Sequence, residues 1–198
     1  MSESTTVFLL SPANLGGKRG AMLLRSDAGF ELARRLRSTA GAPIAEVFSF
    51  VSGLYFRGKV AYAKAFGRAP HGKQSAYVMT AGGGLCTLDE AVTATRLEDW
   101  QRVTVSEHNP HFTAPLIRQA SELHVAGDAA ARFVLLGSIA SNKYVAPLLE
   151  VFAEKLLFPT RFAGLGDMSR GSLMLRAARD QQELEYAQVL GARRTGPR

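Results

Sequence analysis

The 198-residue chain reads as an α/β protein, a single three-layer domain with a mostly parallel central sheet of about five strands. Three observations predict this. Short β-branched and apolar runs recur along it, "TTVFLL" (5–10), "SAYVMT" (75–80) and "ARFVLLGS" (131–138), each halted by small or turn-forming residues. Between them lie stretches with helical spacing of apolar residues. No repeat and no interdomain linker divides the chain, and its length suits one sizeable core.

The elements follow in order. After the first strand, "SPANLGG" is a loop, and Leu24, Ala28, Leu32 and Leu36 form one stripe of a helix over 22–37. "STAGAP" breaks it. "IAEVFSFV" (44–51) is an apolar run of strand length and predicts a second strand. A loop carrying Tyr55 and Arg57 leads into a short helix over 58–66, and the third strand (75–80) ends at "AGGGL". The segment 87–115 is an irregular excursion with two capping-box patterns, Thr87 with Glu90 and Thr95 with Glu98. "HNPHF" reads as a loop before a helix over 114–126. After the strand at 131–138, Ser141 is placed to cap a helix through Val145, Leu148, Leu149 and Phe152. "EKLLFPT" gives a fifth strand, a helix starts near Gly171, and "LEYAQVL" is an edge strand. Residues 1–190 thus form one domain, and 191–198 a flexible basic tail.

Composition narrows the function. Hydrophobic residues make up 46% and charged residues 21%, which excludes a disordered chain. No apolar run approaches the roughly 18 residues of a membrane span, and no basic region precedes "TVFLLSPA" as in a signal peptide. A cytoplasmic protein without a membrane partner is expected. The single cysteine, Cys86, cannot form an internal disulfide and reads as a small buried thiol. The net charge of +7, with Arg19, Arg25, Arg34, Arg35 and Arg37 crowded near the start and Arg193, Arg194 and Arg198 at the end, favours an anionic ligand, a nucleotide or nucleic acid. The alternative is a solvated basic helix face and tail. His108 and His111 lack a third ligand nearby, so no metal is expected, and no motif calls for a cofactor.

In open parallel sheets, ligands bind beyond the carboxyl ends of the strands. Three of four Gly- and polar-rich stretches directly follow predicted strands, and the fourth lies a few residues past one: "SPANLGGKRG", "AGGGL", "GSIASNKY" and "GLGDMSRG". The first lacks the leading glycine and the hydroxyl of a Walker loop, yet offers Ser11, Lys18, Arg19 and backbone N–H groups to an anion. Gly83 and Gly84 let a backbone approach a flat base, or merely turn a corner. Tyr55, Arg57 and Lys59 interleave aromatic and cationic groups as base stacking with phosphate contact requires. Ser138 follows the central strand, without the G-x-S-x-G elbow of a hydrolase serine. Asp167 or Ser169 is a natural N-cap, whereas Arg170 in a first helical turn opposes the macrodipole and is better understood beside an anion. Asp167 would then serve as a general base or a contact to a sugar hydroxyl.

"FLLSPANLGGKRG" and "RFVLLGSIA" resemble, respectively, the water-activating loop and a strand-to-helix turn of the uracil-DNA-glycosylase-like group. The layout also resembles uncharacterised bacterial Rossmann-like families. The resemblance covers about a fifth of the chain. It implies a catalytic role for Asn14 in orienting water, and the Asp167–Arg170 turn would replace the histidine-containing loop such enzymes carry after the last strand, since "FPTRFAGLGDMSRG" has no histidine. The expectation is a nucleotide- or nucleic-acid-binding protein acting on a glycosidic or phosphoester bond, or alternatively a non-catalytic nucleic-acid-binding or protein-interaction module.

Overall fold

The computed structural model describes residues 4–193. In chain order the elements are β1 (Thr6–Leu10), α1 (Lys18–Leu24), α2 (Glu31–Arg37), β2 (Ala42–Pro43), α3 (Ile44–Ser52), α4 (Leu54–Phe66), β3 (Ala76–Thr80), β4 (Gly84–Thr87), β5 (Ala91–Val92) and α5 (Ala94–Gln101). They continue with α6 (Pro110–Ala126), β6 (Arg132–Leu136), α7 (Asn142–Phe152), β7 (Leu156–Pro159), α8 (Asp167–Arg179) and β8 (Tyr186–Gln188). The main sheet has six strands in the order β4-β3-β1-β6-β7-β8. β3, β1, β6 and β7 run parallel, and β4 and β8 close the two edges antiparallel. β2 and β5 form a separate antiparallel pair.

The central strands are buried on both faces, so their runs are continuously apolar rather than alternating. The period of two still sorts them. Phe8, Leu10, Val78, Val134 and Leu136 face α3, α4 and α8, while Val7, Leu9, Met79, Phe133 and Leu135 face α6 and α7. This is the expected three-layer α/β domain, with one more strand than expected.

Five local expectations are corrected. The run 44–51 is helix α3, not a strand: Ile44, Val47, Phe48 and Val51 recur at helical spacing, and the first three are buried in the core. The helix expected over 22–37 is two helices, α1 and α2, separated by 25–30. α4 begins at Leu54, so Tyr55 and Arg57 are helical, not in a loop. The excursion at 87–115 carries β5, α5 and the start of α6, and α5 is capped by Thr93, whose hydroxyl accepts from the Arg96 N–H. Likewise "HNPHF" starts α6, with Asn109 capping it and Pro110 in its first turn. Residues 194–198 of the expected tail lie outside the described residues. Before them, Val189 is buried and Ala192 packs against the core.

The sheet order matters for function. From β1 the chain crosses to β3 on one side, and after β4 it returns to β6 on the other side of β1. The connection leaving β1 runs to β3 and the one leaving β6 runs to β7 on the opposite side, so the two diverge and open a crevice at the carboxyl ends of β1 and β6.

Candidate functional site

A cavity of about 740 Å³ lies in that crevice. Its walls come from the loop after β1 (Ser11–Gly16), the turn after β3 (Thr80, Ala81), and Ser138, Ser141, Lys143 and Tyr144 after β6. α3 contributes Phe48, α4 Tyr55, α5 Trp100, and α8 its first residue, Asp167. The volume is that of a small-molecule site. Among the described residues, Asp167 is the one carboxylate and Lys143 the one cation on the wall.

Each side chain is held for a local reason. Asn14 turns its own loop, its Oδ1 accepting from the Gly16 N–H at 3.0 Å. Ser138 does the same, accepting from the Ala140 N–H at 3.2 Å. α7 begins beside the cavity with Ser141 at its cap position, no side-chain capping bond and no acidic residue in its first turn. Its N-terminal end keeps its positive partial charge, with Lys143 added.

α4 and α8 cross in near-backbone contact at two glycines. A Cβ on Gly58 would sit 2.6 Å from the Gly171 carbonyl oxygen, and one on Gly171 2.8 Å from the Tyr55 Cα. This crossing brings Asp167 and Arg170 of α8 beside Tyr55 and Lys59 of α4. Burial pushes the Tyr55 phenol up to about 12, opposed by the nearby Arg170 charge. The Tyr55 hydroxyl is buried and makes no hydrogen bond of full geometry among the described residues, with the Arg170 guanidinium beside it. Lys59 is fully buried under the loop after β1, and its Nζ donates to the Ser11 carbonyl at 2.9 Å and contacts the Ser11 Oγ at 2.7 Å. Burial pulls it down to about 7.

Of the residues singled out from the sequence, Ser11, Asn14, Tyr55, Ser138 and Asp167 line the cavity. Lys59 joins them through Ser11. The others do not reach it. Lys18 and Arg57 are exposed elsewhere, and Arg19 places a guanidinium nitrogen 3.5 Å from the Phe50 carbonyl, near the end of α3. Gly83 is occupied by the protein itself: a Cβ there would meet the Trp100 ring at 2.7 Å. Gly84 has a positive φ of 69° and lies against Pro115 and Gln119 of α6. The flat group that approaches the triplet is Trp100, and the turn joins a β3–β4 hairpin.

The N-cap expectation for Asp167 or Ser169 is also corrected. Gly166 occupies the cap, Asp167 is the first helical residue, and Ser169 is exposed away from the cavity. Arg170 needs no external anion. It is buried, its Nε and Nη2 donate to the Phe162 carbonyl at 3.2 and 3.0 Å, and its Nη1 lies 3.9 Å from the Asp167 carboxylate.

Sequence reading missed Trp100, Lys143 and Tyr144. The signal for the last two was present, because "SNKY" directly follows a predicted strand loop. Trp100 gave none, because its position depends on how α5 folds back over the β3–β4 turn. Cys86 lies buried on β4, its thiol pushed up to about 12 chiefly by burial. Among the described residues no three His, Cys, Asp or Glu side chains gather as a metal site, and no helix is long and apolar enough to cross a membrane. Compared with protein-family models, curated proteins and solved structures, the chain matches none.

Proposed function

We propose that the protein binds a nucleotide, free or at the end of a nucleic acid, in the cavity beyond β1, β3 and β6. One observation carries the reading: a cavity of about 740 Å³ combines aromatic walls, Phe48, Tyr55, Trp100 and Tyr144, with Lys143 at the uncapped start of α7. Aromatic surface suits a base, and a helix N-terminus with a lysine suits a phosphate. The Tyr55 hydroxyl, buried beside Arg170 without a hydrogen bond of full geometry among the described residues, adds a polar group that a ligand would satisfy. The loop that resembles the glycosylases' water-activating loop forms part of the same wall, which supports a base as the ligand's core. Action on a glycosidic or phosphoester bond rests on Asp167, the carboxylate available there as a general base.

The test is thermal stability in the presence of nucleotides, nucleosides and phosphosugars. A ligand at 100 times its dissociation constant stabilises by about 2.7 kcal/mol. Lys143→Glu is expected to abolish the shift for phosphorylated ligands, and Arg57→Glu, on an exposed surface outside the cavity, to leave it intact. Asp167→Asn keeps the shift and removes any turnover. A shift lost equally in both charge variants would mean a general electrostatic effect and would sink the assignment of this cavity.

A further inference from the structure

We propose that Ser11 and Lys59 form a nucleophile–base pair that cleaves a carboxylic ester bound in the cavity, with the Ser11 Oγ accepting the acyl group. The inference goes beyond nucleotide binding and uses the same cavity without requiring that ligand. Ser11 is the first residue past β1 and part of the cavity wall. Its Oγ lies 2.7 Å from the Lys59 Nζ, and the same Nζ is fixed by the Ser11 carbonyl at 2.9 Å. In the structure the Oγ accepts from Nζ and donates to the Leu136 carbonyl at 3.4 Å, so for the reaction the hydroxyl proton turns from that carbonyl to a neutral Nζ. Gly137 keeps the space beside it open, since a Cβ there would come within 3.0 Å of both the Ser11 Cβ and Oγ. A nucleophile and a base within hydrogen-bond reach, the base itself held by a third group, is the arrangement serine nucleophiles use, and lysine serves as base in several unrelated folds.

Lys59 is poorly explained as packing. It is 1% exposed, its Nζ sits 3.9 Å from the Tyr55 ring centroid, and no carboxylate pairs with it among the described residues. A buried ammonium without a counter-ion is costly, whereas a buried neutral amine is a base. The groups facing it are few. Tyr55 comes from its own helix, Asp167 and Arg170 from α8, and Ser11 from the end of β1; the one charged residue of α3, Glu46, is paired with Arg35. Burial and Arg170 favour the free amine, and Asp167 opposes them.

The step balances without another reagent. As the Oγ–carbon bond forms, the hydroxyl proton passes to Nζ and the carbonyl oxygen becomes an oxyanion. The tetrahedral intermediate collapses, the alkoxide leaves, and it takes the proton from the Lys59 ammonium. Water, deprotonated by the regenerated amine, then attacks the acyl-serine, releasing the acid and restoring Ser11. A carbonyl substrate is favoured over a phosphoryl one because, among the described residues, the wall offers a single cation, whereas phosphoryl transfer requires charge neutralisation over three oxygens.

The experiment is labelling of the full chain with a fluorophosphonate probe, with the modified residue located by mass spectrometry, alongside p-nitrophenyl acetate hydrolysis. Modification of Ser11 and ester turnover, both absent in Ser11→Ala, are expected. Lys59→Met should slow labelling about 100-fold or more. If that variant fails to fold, the wild-type pH profile decides. A labelling rate that rises to a plateau near neutrality supports the pair, and one that climbs steadily with hydroxide into the alkaline range overturns it. A folded wild type left unlabelled at Ser11 also overturns it, even where nucleotides raise the melting temperature. Labelling without any nucleotide shift overturns the binding reading alone.

Discussion

Lys59 makes the stability of the protein depend on pH in an unusual direction. Its folded value, about 7, lies below the ordinary 10.5 because burial disfavours the ammonium. Above 10.5 the amine is neutral in both states and costs nothing. Between these values the unfolded chain binds the proton and the folded one does not, so unfolding is favoured progressively as pH falls; below about 7 the penalty is complete and constant. Stability should therefore rise from neutral to alkaline pH by about 1–4 kcal/mol through this residue alone. Urea midpoints of wild type and Lys59→Met, compared from pH 6 to 10, isolate the effect. Parallel curves would show that Lys59 is not neutralised by folding. Arg170, by contrast, earns its place by tying the Phe162 carbonyl to the start of α8.

Among elements, the α4–α8 crossing decides whether the site exists. Two backbones approach at Gly58 and Gly171, and a methyl group at either meets backbone rather than a movable side chain. Gly171→Ala should cost about 1–3 kcal/mol by overpacking and displace Tyr55 from Asp167. Gly29→Ala, with nothing within 4 Å of the new Cβ, should change stability by less than about 0.5 kcal/mol. Denaturant titrations of both variants check the contrast, and equal effects would refute the crossing. The same comparison explains what sequence reading achieved. β1, β3, β6 and β7 were legible because buried parallel strands leave short apolar runs between breakers. α3 was misread because "IAEVFSFV" is apolar enough for a buried strand, and the stripe of Ile44, Val47, Phe48 and Val51 competes with that signal over one short run. The glycines of "AGGGL" turn a corner, one of the two readings the sequence leaves open, and what lies against them is protein rather than a ligand base. The partner, Trp100, was invisible because only tertiary packing of α5 brings it there. Ser11 and Lys59 each stand out in the sequence, but 48 positions separate them and no local pattern joins them.

For the molecule as a whole, the open question is whether the charge of +7 serves the cavity or a polymer. The arginines crowded near the start are largely engaged locally. Arg25 pairs with Asp27, Arg35 with Glu46, and Arg37 donates to the carbonyls of Arg25 and Ala28. None of them lines the cavity, where Lys143 is the cation on the wall. A ligand held there displaces few counterions. A mononucleotide carries no condensed counterion atmosphere, so its affinity should fall only weakly with salt, and an oligonucleotide that sets one phosphate beside Lys143 should give a log–log slope of about one or less, at about 0.7–0.9 per phosphate neutralised. A nucleic acid laid across the basic surface would instead neutralise several phosphates and give a correspondingly steeper line. Titrating a mononucleotide and a single-stranded oligonucleotide over the same salt series separates the cases. Matching shallow slopes mean that the oligonucleotide binds by its end, with one nucleotide in the cavity. A steep slope for the oligonucleotide alone assigns the arginines a partner of their own and makes the cavity one part of a longer track.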